Sequence, residues 1–377
     1  MLQRVIKLSV QVSYKKQFIL GIFLVIVLLL MIEGVFQIIW NYDASLCGYE
    51  VKSAYFKRVA SHEKIQELCS DDENFEYDVN VIRKNQPNQH LNTININSFG
   101  FRGEEISLDK PSEEYRIIVV GGSTAFGLWS SNDKTTITSF LEDKLRTLKN
   151  NVKINVINAG IIAATSADEV YYIKTELIDF KPDLFIIFDG YNDSFNVKIK
   201  DHELGDTFEM FENRNDFEKF VKKYFKIFAT PNVIFTQTHD YMQYLYLTDD
   251  IKKRNTEAWV NRWNDLCKTN DFEVMVILQP MLGTSDRILS DSEEKYFGHY
   301  KSQKILELWN DLKNSFHRIT ECNTVYLGDA FDGFNDEVYF SPVHTTDFGN
   351  KIIAEKIAEK VLPYINSKVL WKFYFLL

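Results

Sequence analysis

Residues 115–124 read Tyr-Arg-Ile-Ile-Val-Val-Gly-Gly-Ser-Thr. A short β-branched run, Tyr115–Val120, closed by a glycine pair, predicts a strand buried on both faces. Similar apolar runs return at Lys153–Ile157, Asp183–Phe188, Glu273–Leu278 and Thr324–Leu327. Helical spacing fills the intervals over Thr138–Leu148, Ser166–Phe180, Thr256–Lys268 and Ser292–Phe316, and again over Asp347–Ile365. Ser166 with Glu169 three residues on reads as a capping box. Strands that alternate with helices five times predict a five-stranded parallel sheet with helices on each side, a three-layer α/β/α fold.

Outward from this core, the predicted domain covers 111–366. Residues 195–254, rich in Phe, Tyr, Lys and Asp, interrupt the alternation and read as a lid or a surface insertion. Residues 41–110 form a juxtamembrane region with little clear period, ending in the turn-rich NSFGFRGEE around Asn97, Gly100, Arg102 and Gly103. The tail 367–377 is apolar and too short to span a bilayer.

Residues 17–40 read QFILGIFLVIVLLLMIEGVFQIIW, without charge from Phe18 to Ile32. At helical rise this stretch covers ~36 Å, enough to cross a bilayer with some tilt. Trp40 and Tyr42 suit an interfacial aromatic belt. Arg4, Lys7, Lys15 and Lys16 before the span place residues 1–16 in the cytoplasm and everything after residue 40 outside. No small-x-small cleavage site follows the apolar run, which favours an anchor over a cleaved signal peptide. An exported domain permits disulfides among Cys47, Cys69, Cys267 and Cys322, and Cys47 with Cys69 would close a membrane-proximal loop. No Cys or His spacing suggests a metal. The net charge of −10 argues against a nucleic-acid partner, and 45% hydrophobic residues argue against disorder.

In doubly wound sheets, ligands sit at the carboxyl ends of the strands. Those ends carry Gly121-Gly122-Ser123-Thr124, Asn158-Ala159-Gly160, Gly190-Tyr191-Asn192-Asp193 and, before the last helix, Ser341-Pro342-Val343-His344. A serine hydroxyl needs a base, and histidine titrates near neutrality. Ser123 and His344 are therefore the expected catalytic pair. The backbone N–H groups of Ser123 and Gly160 and the amide of Asn192 are the expected oxyanion donors. Singly, each piece has a plainer reading: a phosphate cradle, a turn glycine, a helix cap, a surface histidine. Their arrival in order on one rim is what points to a site.

At these residues the chain resembles the SGNH, or GDSL-type, hydrolase superfamily, in a membrane-tethered branch. The resemblance spans roughly residues 95–361. The first block falls on Gly121-Gly122-Ser123, where family members often show Gly-Asp-Ser. The second falls on Gly160, the third matches Gly190-Tyr191-Asn192-Asp193 fully, and the last falls on HTTDFGNKIIAEKI from His344. The resemblance implies a flavodoxin-like sheet and acyl-ester chemistry without a metal or cofactor, on an acylated small molecule, glycan or lipid. The family usually places Asp three residues before the histidine, where this chain has Ser341. Three outcomes are open: a Ser–His dyad with a backbone carbonyl or the Ser341 hydroxyl holding the ring; a substitute acid, Asp347, Asp336 or Asp332; or a weakened domain. Three functions are compatible with these residues: a membrane-anchored esterase, an O-acyltransferase on surface polysaccharide that uses the same site with a different acceptor, and a glycan-binding protein on a weakened domain.

Overall fold

The structure is a computed structural model, and it describes residues 13–44, 61–79, 81–149, 152–195, 249–269, 272–298 and 300–375. The chain divides into two units, one holding residues 1–45 and 216–240, the other holding 46–215 and 241–377. In the first, helix α1 (Tyr14–Ala44) contains the predicted span. Its Tyr14–Val35 stretch is long and apolar enough to cross a membrane, with a mean hydropathy of 2.9 and none of it buried.

The second unit holds the sheet. Its strands are β5 (Glu114–Gly121), β6 (Lys153–Asn158), β7 (Leu184–Asp189), β8 (Val274–Leu278) and β9 (Asn323–Tyr326), in the order β6-β5-β7-β8-β9 with every pairing parallel. The chain leaves β5 toward one edge and returns to its other side, so β5 lies at the point where the winding reverses. Alternate residues face opposite layers, as period-two geometry requires. Ile118, Val120, Phe185, Ile187, Val274 and Val276 share one core with Trp259, Trp263, Trp309 and Leu312. Ile117, Val119, Leu184, Ile186, Met275 and Ile277 share the other with Leu141, Leu145, Ile353, Ile357 and Val361. Each fully buried aliphatic side chain in these layers contributes ~1.5–3 kcal/mol.

The first core is roofed by α5 (Ser166–Thr175), α7 (Asp249–Lys268) and α9 (Tyr300–Ser315), the second by α4 (Ile137–Leu148) and α10 (Asp347–Phe375). A disulfide joins Cys267 at the end of α7 to Cys322 before β9, with Cα atoms 5.4 Å apart. Cys47 of the expected pair lies outside the described residues.

Several boundaries differ from the sequence reading. The capping box opening α5 is Thr165 with Asp168, not Ser166 with Glu169. Glu169 is instead fully buried, since it faces the core one turn into the helix. The stretch Ser292–Phe316 is two helices, α8 (Asp291–Phe297) and α9, because α8 stops at Gly298. Helix α7 begins at Asp249, inside the supposed insertion, and 196–248 lies outside the described residues. The supposed C-terminal tail continues α10 as far as Phe375, through Pro363.

The region 41–110 is the largest difference. It contains helix α2 (His62–Asn74) and two antiparallel pairs, β1 (Tyr77–Val79) with β2 (Arg83–Asn85) and β3 (Gln89–His90) with β4 (Asn95–Ile96). Short strands and polar turns hide this from a periodicity search. The backbone of Arg102 then pairs with Asn158 at the end of edge strand β6.

Candidate active site

Strand β5 ends at Gly121, and a four-residue helix, α3 (Ser123–Phe126), starts at once. Ser123 thus stands at its first position, with the carbonyl of Gly122 accepting the Phe126 N–H. His344 arrives from the loop before α10. Its Nε2 lies 2.8 Å from Ser123 Oγ, across 221 residues of sequence. Ser123 is 8% exposed and His344 9%, so each presents only an edge to solvent.

The opposite ring nitrogen, Nδ1, lies 2.9 Å from Ser341 Oγ. That hydroxyl oxygen also accepts the backbone N–H of His344 at 3.0 Å and, more weakly, that of Val343 at 3.4 Å. Phe340 stacks along the imidazole, its ring centroid 6.0 Å away and the planes 15° apart. Burial pushes His344 down to about 4. Two of the other candidate acids have a carboxylate oxygen engaged elsewhere. Asp347 accepts the Ser131 N–H at 3.1 Å, and Asp332 accepts the Asp286 N–H at 2.7 Å. The backbone carbonyl of Asp336 accepts from Arg287. Asp347 thus braces the start of α10 against residue 131, while Ser341 is the side chain that meets Nδ1.

Asn192 lies in α6 (Tyr191–Phe195), directly after β7. Its Nδ2 donates to the Ala164 carbonyl at 2.7 Å, and the amide carries a second N–H. A Cβ on Gly122 would lie 2.1 Å from that nitrogen. Gly122 thus leaves room for the amide beside the turn that carries Ser123. Gly160 also owes its identity to close approach, since a Cβ there would lie 2.3 Å from the Phe126 nitrogen. Its own N–H donates to Asn158 Oδ1 at 3.0 Å, so this expected oxyanion donor is already engaged.

Asp193, the second residue of the Asn-Asp pair, points away from solvent and accepts from the Ser166 N–H and hydroxyl at 2.9 and 2.6 Å. It ties α6 to the start of α5 and so holds the neighbouring Asn192. Behind it lie Asp189, which accepts from Trp259 Nε1 at 2.7 Å, and Glu169, whose two oxygens have no hydrogen-bond partner among the described residues. Burial first, then the charges of Asp189, Asp193 and Asp168, push the Glu169 carboxyl well above the usual carboxylate range.

Sequence reasoning missed Asn158 and Arg102. Asn158 bridges the first two blocks, donating to the Phe126 carbonyl at 3.1 Å while accepting from Gly160. Arg102 reaches the end of α3 from outside the α/β core. Only an asparagine at the carboxyl end of a strand, and an arginine between two glycines, hinted at either. Among the described residues, no group of three or more His, Cys, Asp or Glu is placed to hold a metal ion.

No protein-family model matches the chain, and no curated protein matches it. Similar solved structures include an acetyl xylan esterase at 15% identity and a TM-score of 0.40, covering 65% of this chain and 99% of that one. A lipase/acylhydrolase from Enterococcus faecalis shows 15% identity and 0.38, covering 65% and 94%. The acetylxylan esterase Axe2 from Geobacillus stearothermophilus, solved as a catalytic mutant, shows 13% and 0.36, covering 66% and 94%. At these identities and scores the likeness adds nothing about site or substrate. The strand order and flanking helices are by themselves a doubly wound, three-layer α/β/α arrangement.

Proposed function

We propose that this protein is a membrane-anchored serine esterase of the SGNH type, acting on ester bonds of an acylated glycan or lipid. The reading is carried by the 2.8 Å contact between Ser123 Oγ and His344 Nε2 on the carboxyl rim of the sheet.

The steps follow from the geometry. Ser123 Oγ attacks the acyl carbonyl carbon while its proton passes to Nε2. The oxyanion is received by the Ser123 backbone N–H and the second N–H of Asn192, both in a water-poor site where fixed donors count most. Collapse of the tetrahedral intermediate breaks the acyl–oxygen bond, and the leaving alkoxide takes the proton from the imidazolium. Water, deprotonated by the same nitrogen, then releases the acid and restores Ser123.

Ser341 does part of what an aspartate would do. For Nε2 to accept a proton, the ring hydrogen must sit on Nδ1, donated to the Ser341 oxygen. A carboxylate accepts only, and so enforces that tautomer and stabilises the imidazolium. A hydroxyl can donate or accept, so it holds the ring in place without fixing the proton. The expected enzyme is competent but slow, and its base stays neutral down to about pH 4. Helix α1 supplies the anchor, with the basic residues before it on the cytoplasmic side and the catalytic unit outside.

The test uses the full-length chain in detergent micelles with a fluorophosphonate probe and an acetylated oligosaccharide. Wild type is expected to label at residue 123 and to release acetate, whereas Ser123→Ala loses both, by ~10⁴-fold or more. Labelling that persists at another residue in Ser123→Ala would overturn the assignment.

A further inference from the structure

We propose that Arg102 is a positioning residue for the nucleophile, clamping the turn that carries Ser123 from a segment that lies outside the α/β core. The proposal rests on the Ser–His reading above and adds what holds Ser123 in register.

The guanidinium of Arg102 is almost wholly buried, its side chain 1% exposed. Its NH1 donates to the Gly127 carbonyl at 2.6 Å and to the Phe126 carbonyl at 3.3 Å. Its NH2 donates to Thr93 O at 2.9 Å, and its Nε to Asp133 Oδ1 at 2.8 Å. Phe126 and Gly127 are where the helix begun by Ser123 ends. Gly127 adopts the left-handed conformation, with φ 85°, and its N–H and that of Leu128 both return to the Ser123 carbonyl, at 3.0 and 2.9 Å. A helix this short has no internal stability of its own. Whatever fixes its last two carbonyls fixes its first residue, four positions away. A cation at a helix carboxyl end is also favoured by the local dipole. Lysine could not do the same, because only the planar fork serves three carbonyls and a carboxylate together.

The clamp is itself anchored in the membrane-proximal segment. Asp71 on α2, 1% exposed, accepts from the Thr93 N–H and hydroxyl at 2.5 and 2.7 Å and from Asn92 at 2.9 Å, fixing the loop whose Thr93 carbonyl receives Arg102. The same helix packs Ile65 and Leu68 against Trp129 and Phe340, and Phe340 stacks on His344. Residues 61–103 thus back the nucleophile through Arg102 and the base through Phe340.

Arg116 provides the control, being an equally buried arginine at the other end of strand β5. The experiment measures three things on the full-length chain in micelles: the fluorophosphonate labelling rate of Ser123, kcat and KM for p-nitrophenyl acetate, and the melting temperature. Arg102→Gln is expected to lower both the labelling rate and kcat by ~10–100-fold, the size of effect that small misplacements of a reacting group produce. KM should stay within about twofold, because substrate contacts are untouched. Arg102→Lys should fall between, keeping the charge but not the fork. Arg116→Gln should lower the melting temperature while the folded protein labels at the wild-type rate.

The proposal is overturned if folded Arg102→Gln labels as fast as wild type, or if Arg116→Gln slows labelling equally. Should Arg102→Gln fail to fold, Arg102→Lys decides: a rate below wild type supports the clamp, and an equal rate ends it. Wild type unlabelled at Ser123 would instead sink the Ser–His reading, and the clamp with it.

Discussion

At the amino ends of the sheet strands, buried charge is matched by charge. Arg116 pairs with Glu114 at 2.7 Å and donates to the carbonyls of Phe180 and Leu108, while Asp183 takes the Arg116 N–H at 2.7 Å and the Lys110 ammonium at 2.5 Å. Near the carboxyl ends of the same strands lie buried titratable groups that are held differently. His344 has a hydroxyl at Nδ1 where an aspartate is usual in the resembled family, and Glu169 has no hydrogen-bond partner at either oxygen among the described residues. One end closes the fold; the other keeps groups whose protonation can change. The difference teaches where stability and reactivity have been separated along a single set of strands.

Four measurements break or sharpen that contrast. The largest effect is expected at the amino end. Arg116→Gln leaves Glu114 buried with a lost partner and should cost ~3–5 kcal/mol of unfolding free energy in denaturant titration. An unchanged denaturation midpoint would show that the pair does not hold this end together. Next comes Asn192→Ala, expected to lower kcat by ~10²–10³-fold with little change in melting temperature, as loss of an oxyanion donor does. A kcat within twofold of wild type would remove Asn192 from the site.

A smaller effect in the opposite direction is expected from Ser341→Asp. A carboxylate at Nδ1 fixes the productive tautomer and favours the imidazolium, so kcat should rise ~10–100-fold. The acidic limb of the pH–rate profile should also move up. In wild type that limb is expected near pH 4, since the proposed reaction needs neutral His344 and should slow as pH drops through its pKa. A wild-type limb near 6.5 would mean that the ring is not held in the dry environment described here.

The smallest effect is at Glu169. Its raised pKa means that the folded state keeps a proton the unfolded chain has released, so stability is lost as pH rises above the usual carboxylate range. Glu169→Gln removes this penalty. Its melting temperature relative to wild type should therefore climb between pH 5 and pH 8, and a constant difference across that range would place an ionised Glu169 in the fold.

Much of the molecule was legible in the chain itself. Apolar runs separated by helical spacing dictate a parallel sheet, because strands buried on both faces leave no other arrangement for the intervening helices. That sheet in turn brings residues after successive strands to one rim, which is why Ser123 and His344 could be expected to meet, as they do at 2.8 Å. A run of fifteen uncharged residues likewise dictates the helix containing Tyr14–Val35. Only the tertiary structure decided what stands behind these groups. Ser341 rather than Asp347 meets the imidazole, Gly160 has its N–H engaged, and Arg102 grips the turn that carries Ser123. These are contacts between segments without periodicity, set by hydrogen-bond geometry over ångströms, and sequence spacing carries no record of them. Periodic burial leaves a mark on every few residues; a single buried donor leaves one letter.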